Sequence, residues 1–463
     1  MTGLRRSMAA GLAALLLISC GGTAPTQSPG SAPTGSAAAP SEPASGEPSA
    51  PASAEASPPE PSGDPDLSAD LVVWGWEAAI NTLKEVEPDF KAAYPNVNVE
   101  YVIQPPADTY RNIQLAVSAG SGAPDVSVIE DSHLAQFVEL GALADITDQV
   151  APYKSLMNPY KWQAAESEGR TYAMPWDSGP VALYYRRDVF EEAGVDPTSI
   201  ETWDDYYEAA KAIKTETGKP MLQNSKARNS GRLLEMLIWQ RGLGYVDEQG
   251  AVILDKDPKI RETLEYLGRF WEEDLTLDNE EWTDPWYAAF ADGEVATQIA
   301  AVWMGTFFKS FIAPEAEGDW GVIKLPIWEE GDAQASNDGG SQLAIFEESE
   351  QKEAAWAYVE YHLGREESQL TMYRELDIFP SLETTYDDPF FSEPDPYFGG
   401  DEARVLFAEV VAEIPSAGMY TADYQEMNAI LAPEIQKFAM GQQTAEQTLA
   451  NAASAIRDQT QRP

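Results

Sequence analysis

The stretch LVVWGWEAAINTLKEVEPDFKAAYPNVNVEYVI, residues 71–103, places one helix pattern between two strand patterns. Residues 71–76 form a short, mostly apolar run that is typical of a buried strand. Pro88 falls inside the helix pattern, which predicts either a kink or a helix restart there. Residues 97–103 return to strand character. The apolar residues spaced about one helical turn apart are Ile80, Leu83, Val86, Phe90 and Tyr94.

The same alternation continues further along the chain. Residues 109–120 have a helix pattern ended by Gly120, and residues 124–130 read as a third buried strand. Three strands alternating with two helices predict a parallel, doubly wound sheet. A later helix is predicted to start at Thr202, with Asp205 completing a near capping box, and the remaining sequence alternates helix and strand patterns to the end. About 390 residues follow Asp70, enough for two α/β lobes with full cores.

The first 20 residues have the pattern of an export signal. Two arginines precede an apolar run, residues 8–18, that is too short to span a bilayer as a stable helix. The run ends at Cys20, the only cysteine of the chain, within the string LISC. This string resembles the lipobox of bacterial lipoproteins, so we expect residues 1–20 to be a lipoprotein signal peptide and Cys20 to be lipidated. An ordinary secretory signal, with no role for Cys20, is the alternative.

Residues 21–66 consist mainly of Ala, Ser, Pro, Gly, Thr and acidic residues, without one aromatic or basic side chain. Such a composition cannot bury enough apolar surface to offset chain entropy, which predicts a disordered tether. As a flexible coil it would average roughly 40 Å from end to end. The tether would hold a globular body close to a membrane.

Composition excludes several classes of function. The formal net charge of −47 argues against nucleic acid and anionic membrane surfaces as partners. His133 and His362 are the only histidines, so clustered histidine metal sites are excluded. The sequence contains no P-loop, no G-x-S-x-G elbow and no G-x-G-x-x-G after the first strand. We therefore predict no catalytic residue, metal or cofactor.

Aromatic side chains stand beside carboxylates and glycines where predicted strands end, and ligands of open α/β sheets bind at that edge. Such a mixture suits a neutral sugar, because its C–H face lies flat on an indole ring and its hydroxyls donate to carboxylates. The candidate ligand-binding residues are Trp76, Glu77, Glu130, Asp131, Trp176, Asp177, Trp303, Gly340, Ser341 and Tyr424.

Other interpretations of these residues remain open at this stage. Most of the 13 tryptophans must serve core or hinge packing, and Glu77 could simply cap a helix. An anionic cleft would also accept a polyamine, a peptide or a metal chelate. A secreted glycosidase would need a carboxylate pair such as Glu130 and Asp177, although nothing in the sequence marks either as an acid with a raised pKa.

Five segments together resemble the family 1 extracellular solute-binding proteins, the sugar-capturing subunits of bacterial ABC importers. Their order and spacing, more than any single motif, carry the resemblance, which extends from about residue 70 to the end. The chain differs from the family pattern at Thr297, where methionine is usual, and at Ala301, where glycine is usual. The segments are residues 72–102, 120–147, 168–196 (with MPWDSGP), 288–303 (with AAVW) and 337–346 (NDGGSQLAIF).

The resemblance implies a bilobal, type II periplasmic-binding-protein fold with two doubly wound sheets and a hinge of several crossings, near residues 178–184, 337–342 and 383–388. Lobe one would comprise residues 67–180 and 341–385, and lobe two residues 185–337 and 388–463. A sugar bound between the lobes would favour their closure, without covalent chemistry. The implied partners are the transmembrane subunits of an ABC permease, with the protein a monomer outside the cell membrane.

Overall fold

The structure, a computed structural model, describes residues 63–415 and 420–463. The predicted signal peptide, Cys20 and nearly all of the predicted tether lie outside these residues. The strands are β1 (Ser68–Gly75), β2 (Asn96–Ile103), β3 (Val126–Glu130), β4 (Glu166–Ser167), β5 (Arg170–Thr171), β6 (Ala173–Asp177), β7 (Pro180–Arg186), β8 (Leu222–Gln223), β9 (Thr276–Leu277), β10 (Thr297–Ala301), β11 (Trp320–Ile323), β12 (Ser336–Asn337) and β13 (Ser341–Ile345).

The α-helices of the described residues lie between or after these strands. They are α1 (Glu77–Ala93), α2 (Pro106–Ala119), α3 (Asp131–Glu139), α4 (Thr147–Val150), α5 (Pro159–Ala165), α6 (Arg187–Ala193), α7 (Trp203–Thr217), α8 (Arg232–Trp239), α9 (Pro258–Glu272), α10 (Asp284–Ala291), α11 (Trp303–Phe307), α12 (Lys352–Leu363), α13 (Glu366–Leu376), α14 (Ala403–Val411), α15 (Tyr424–Ala439) and α16 (Ala445–Thr460).

The first sheet has the strand order β2-β1-β3-β13-β6, and we call the part of the molecule around it lobe one. Strand β1 runs parallel to β2 and β3, as the sequence predicts. Strand β13 is antiparallel to both β3 and β6. The reason is that β3 and β6 end at the cleft edge, whereas β13 enters lobe one from that edge. Helix α1 continues through Pro88 without a break and buries its predicted apolar face.

The second sheet has the order β11-β7-β10-β8-β9, with β12 also paired to β7, and it defines lobe two. Strand β7 leaves the cleft edge and pairs antiparallel with β10, β11 and β12. Strand β10 therefore ends at the cleft edge, where Val302 N donates to Pro180 O at 2.9 Å. Helix α7 begins at a capping box of Thr202 and Asp205, as predicted, and Gly218 ends it in a left-handed conformation.

The chain passes between the sheets at residues 178–179 and again at residues 338–340. These two crossings touch, because Asp338 N donates to Gly179 O at 2.7 Å. A Cβ at Gly179 would lie 2.4 Å from Asp338 O, so only glycine permits this approach. A third segment runs beside the first crossing, with Ser178 N donating to Phe379 O at 3.0 Å. The residue limits of the two lobes remain a prediction.

No helix in the described part of the chain combines the length and the apolarity that crossing a membrane requires.

Candidate ligand-binding site

One edge of the lobe-one sheet carries carboxylates on two strands, β3 and β6, which lie on either side of β13. Ser341, the first residue of β13, pairs with Glu130 on one side and with Asp177 on the other. Its backbone N–H donates to Asp177 Oδ1 at 2.8 Å, and its hydroxyl donates to the same oxygen. Burial raises the pKa of Asp177, and the nearby Lys161 opposes that rise. The structure therefore brings these three predicted residues together beside the hinge.

A buried ion pair lies directly behind this edge. Lys161 Nζ donates to Asp131 Oδ2, and neither side chain is more than 4 % exposed. Gln342 Nε2 donates to the other oxygen, Asp131 Oδ1, at 3.0 Å. A Cβ at Gly340, where φ is +101°, would lie 2.6 Å from Lys161 Nζ. Glycine is therefore required there, and Asp131 is held by an internal cation that the sequence analysis missed.

Glu130, the last residue of β3, has a strongly raised pKa. Its side chain is 12 % exposed, Tyr110 donates its hydroxyl to Glu130 Oε2 at 3.1 Å, and His133 Nδ1 lies 3.5 Å from the same oxygen. Burial raises the pKa of Glu130 to about 8, and repulsion from Asp177 and other nearby carboxylates adds to the effect. Burial also lowers the pKa of His133 to about 4. At neutral pH this corner therefore holds a protonated Glu130 beside a neutral histidine.

We expect stability to fall as the pH rises from 6.5 to 8. Glu130 and Glu235 both have a pKa raised from 4.5 to about 8, so between those values the folded state holds protons that the unfolded chain has released. Each contributes a slope that approaches about 1.4 kcal/mol per pH unit. His133 and His362, with pKa values lowered from 6.5 to about 4, have the opposite effect, which fades above pH 6.5 as the histidines of the unfolded chain lose their protons.

Denaturant unfolding of the wild type and of Glu130→Gln at pH 6.5, 7.2 and 8.0 checks this expectation. The variant carries no titrating proton at residue 130, so its stability should fall less steeply with pH. Identical slopes for the two proteins would contradict the buried, protonated state of Glu130.

Trp303 presents an aromatic ring from lobe two. It is the first residue of α11, directly beyond β10, and it is only partly buried. Its indole Nε1 donates to the backbone oxygen of Asp338 at 2.7 Å. The guanidinium of Arg232 lies 4.9 Å from its ring centroid, and the Trp282 ring lies at 6.1 Å. The ring is therefore fixed to the hinge at one edge and supported by side chains of its own lobe.

Arg232 and Asp338 form a second buried ion pair, which joins helix α8 to the hinge. Arg232 Nε donates to Asp338 Oδ1 at 3.1 Å, and Nη2 donates to Oδ2. The two side chains are 6 % and 0 % exposed. Because Asp338 also accepts the bond from Trp303, the ion pair and the candidate stacking ring share one hinge residue.

Two of the predicted ligand contacts, Trp176 and Tyr424, have rings that are buried in the cores of their lobes. Trp176 is 1 % exposed and packs in the lobe-one core, because neighbouring residues of a strand face opposite sides and Asp177 takes the cleft side. Tyr424 is 2 % exposed in the lobe-two core and donates its hydroxyl to Glu235 Oε1 at 2.6 Å. Both rings have structural roles in their own lobes.

Tyr420, four residues before Tyr424, is the more exposed of the two tyrosines. It is partly buried and packs edge-on against Trp239, with ring centroids 5.1 Å apart. Burial raises the pKa of Tyr420 well above the usual value for tyrosine. Nearby carboxylates, among them Asp131 of lobe one and Glu235 of lobe two, add to this rise. Tyr420 therefore lies where the two lobes face each other. The AGMYTADYQEM segment contains both tyrosines, but sequence spacing alone does not say which one faces the core.

Trp76 and Glu77 follow β1 at the same edge of the sheet. Trp76 is partly buried against the lobe-one core, and Glu77 lies in the first turn of α1, where a carboxylate interacts favourably with the helix dipole. Their contact with a ligand stays a prediction. Among the described residues, no group of three or more His, Cys, Asp or Glu side chains is arranged to hold a metal ion.

Two α/β lobes are joined by crossings that touch, with carboxylates at the sheet edge of lobe one and Trp303 of lobe two bonded to the hinge. This architecture defines a solute-binding protein of the bilobal type II fold. Residues 75–369 match the family described as bacterial extracellular solute-binding protein, and the chain belongs to that family.

Named relatives support the assignment. The chain is 27% identical to the arabinooligosaccharide-binding protein of Halalkalibacterium halodurans, over 75% of this chain and 80% of that protein. It is also 27% identical to the lactose-binding protein of Rhizobium radiobacter, over 76% and 85% of the two chains. Among solved structures, the ABC transporter associated binding protein from B. animalis subsp. lactis in complex with beta-1,6-galactobiose is 26% identical. That match covers 85% of this chain and 98% of the other, with a TM-score of 0.70.

Proposed function

We propose that this protein is the substrate-binding component of an ABC importer that captures a sugar between its lobes and delivers it unaltered to a membrane permease. The observation that carries the proposal is the partly exposed ring of Trp303, held at the hinge next to the carboxylate edge of lobe one. Relatives named for arabinooligosaccharide and lactose binding support the same class of ligand.

The arrangement provides the two kinds of contact that a sugar ring needs. An indole face receives the C–H face of the ring, while the carboxylates and the hydroxyl of Ser341 exchange hydrogen bonds with its hydroxyl groups. Because these groups belong to both lobes and to the hinge, a bound sugar stabilises the closed arrangement over the open one.

A hydrolytic enzyme fits this site less well than a binding protein. Glycoside hydrolysis uses two carboxyl groups whose pKa values are pushed apart, one protonated and one ionised. The raised pKa of Glu130 does not by itself distinguish these functions, but the chain belongs to a family of solute-binding proteins, and its named relatives bind sugars. We therefore propose no catalytic residue in this site.

The N-terminal segment of the sequence supports a proposal for where the protein is located. We propose that Cys20 carries a lipid anchor and that residues 21–66 tether the two lobes outside the cell membrane. From there the protein, as a monomer, would present its closed form to the transmembrane subunits of the permease.

A thermal-shift screen tests the proposed ligand class. Arabinose, galactose, lactose, maltose and longer oligosaccharides are compared with putrescine, spermidine and short cationic peptides. A ligand at 100 times its Kd stabilises the folded state by about 2.7 kcal/mol, so at least one neutral sugar should raise the melting temperature by several degrees. Chromatography after overnight incubation should recover that sugar unchanged. Stabilisation by amines alone would favour a cationic ligand, and released products would indicate an enzyme.

A further inference from the structure

A small pocket lies at the cleft edge of the lobe-two sheet. Strands β8 and β9 run parallel to β10, so all three end at the edge where Trp303 follows β10. Gln223 is the last residue of β8, and Glu281 follows the end of β9 by four residues; both line the pocket, which we call the lobe-two pocket. Its volume of about 20 Å³ gives room for about one or two groups the size of a water molecule.

The polar side chains of this pocket have unused hydrogen-bonding capacity. Gln223 is 6 % exposed and donates its Nε2 to Asn279 O, but its Oε1 has no hydrogen-bond partner among the described residues. A buried oxygen without a partner is costly, because it has lost its bonds to water. The carboxylate of Glu281 likewise accepts no hydrogen bond from the other described residues. A hydroxyl group that entered the pocket would therefore find two acceptors.

The loop after β9 fixes the position of Glu281. The next residue, Trp282, has a φ of +64°, a left-handed conformation that is rare for a bulky side chain and persists only where surrounding contacts demand it. Its ring packs 4.8 Å from the ring of the buried Trp286. Burial raises the pKa of Glu281, yet the residue stays partly exposed, which is the combination expected of a carboxylate that lines a narrow cleft.

The lining suits a hydroxymethyl group, which is a methylene that carries one hydroxyl. A cationic group of this size would be repelled by the Arg232 guanidinium, and an anionic group by the carboxylate of Glu281, so a neutral group fits best. Four apolar side chains offer contact to the methylene: Leu222, Leu233, Met236 and Ile299.

Arg232 connects the lobe-two pocket to the candidate stacking ring. It lines the pocket, and its guanidinium lies 4.9 Å from the centroid of the Trp303 ring. A pyranose ring stacked on Trp303 would therefore lie one side chain away from the pocket. The hydroxymethyl group is the substituent of a hexopyranose that projects furthest from the ring, so it is the group that can enter.

We propose that the lobe-two pocket is a specificity site that receives the hydroxymethyl group of a hexopyranose stacked on Trp303 and so selects hexoses over the corresponding pentoses. The hydroxyl of that group donates to Gln223 Oε1 or to the carboxylate of Glu281. The proposal rests on the sugar-binding function proposed above and narrows its substrate class.

Calorimetric titration with pairs of sugars that differ only in the hydroxymethyl group tests this site. The pairs are D-galactose with L-arabinose, D-glucose with D-xylose, and cellobiose with xylobiose. In a pair that binds, the hexose sugar should bind at least about tenfold more tightly, the effect of one hydrogen bond to a charged group. D-fucose, which has the methyl carbon of galactose without the hydroxyl, should lose most of that preference.

Two variants test the residues of the pocket. Glu281→Ala and Gln223→Leu should each lower the ratio of hexose affinity to pentose affinity at least about threefold. Because this ratio is taken within one protein, a general loss of folding changes both affinities and leaves the ratio intact. The matched control is Glu280→Ala, which removes an exposed carboxylate from the same loop and should keep the wild-type ratio.

Equal affinity of the wild type for the hexose and the pentose of a binding pair would overturn the specificity site and leave the proposed function intact. An unchanged ratio in both variants would do the same. Failure of every sugar in these pairs and in the thermal-shift screen to bind would contradict the proposed function as well.

Discussion

Replacement of Trp303 by alanine is expected to weaken sugar binding at least about 30-fold, which corresponds to about 2 kcal/mol. The indole is the partly exposed aromatic surface fixed to the hinge, through its bond to Asp338 O, and Arg232 supports it from its own lobe. Alanine removes the stacking surface and leaves the backbone of β10 and α11 unchanged. Calorimetric titration with the best sugar of the thermal-shift screen measures the loss.

The matched control for this variant is Trp356→Ala. Trp356 is also partly buried, but it packs on the lobe-one core, with its ring 6.4 Å from that of Tyr153. This variant should lose stability and retain its affinity. If Trp303→Ala binds as tightly as the wild type, or if both variants lose affinity equally, the stacking role of Trp303 is wrong.

Replacement of Asp338 by alanine is expected to destabilise the protein by about 3–5 kcal/mol, because it removes the carboxylate that makes a bidentate ion pair with a buried arginine. The pair is almost completely buried and joins α8 to the hinge. The backbone oxygen that accepts the hydrogen bond from Trp303 remains in this variant, so the change in stability measures the loss of the ion pair. Denaturant unfolding monitored by circular dichroism gives the change in unfolding free energy.

A double-mutant cycle isolates the interaction between the two charges. Arg232→Met removes the cation, and the combination Asp338→Ala/Arg232→Met removes both charges of the pair. The double variant should therefore be less destabilised than the two single changes together. Simple additivity, or a cost below about 1 kcal/mol for Asp338→Ala, would contradict the structural role of this pair.

The strand and helix patterns of the sequence predict most of the fold. The first strand–helix–strand unit lies where residues 71–103 predict it, because apolar periodicity there is regular and local. The antiparallel direction of β13 depends on a hinge between distant segments, which local patterns do not contain. Likewise, the uninterrupted course of α1 through Pro88 depends on the burial of its apolar face in lobe one.

The sequence predicts the site residues that lie at strand ends, but not the buried cations that pair with their carboxylates. Glu130, Asp177 and Ser341 meet because each lies at a strand end, and strand ends are visible in the sequence. Lys161 and Arg232 bear no local signal, since their carboxylate partners lie 30 and 106 residues away. A tryptophan or tyrosine beside a carboxylate gives the same sequence pattern whether its ring faces the core or the cleft, so the sequence does not distinguish the two roles.

A crystal structure of the protein with the sugar that stabilises it most tests the central claim most directly. We expect one sugar unit between the lobes, with its ring against Trp303 and its hydroxyls within hydrogen-bonding distance of Asp177 or Glu130. A cleft that stays empty at saturating sugar, or a sugar bound outside the cleft and away from Trp303, would contradict the account.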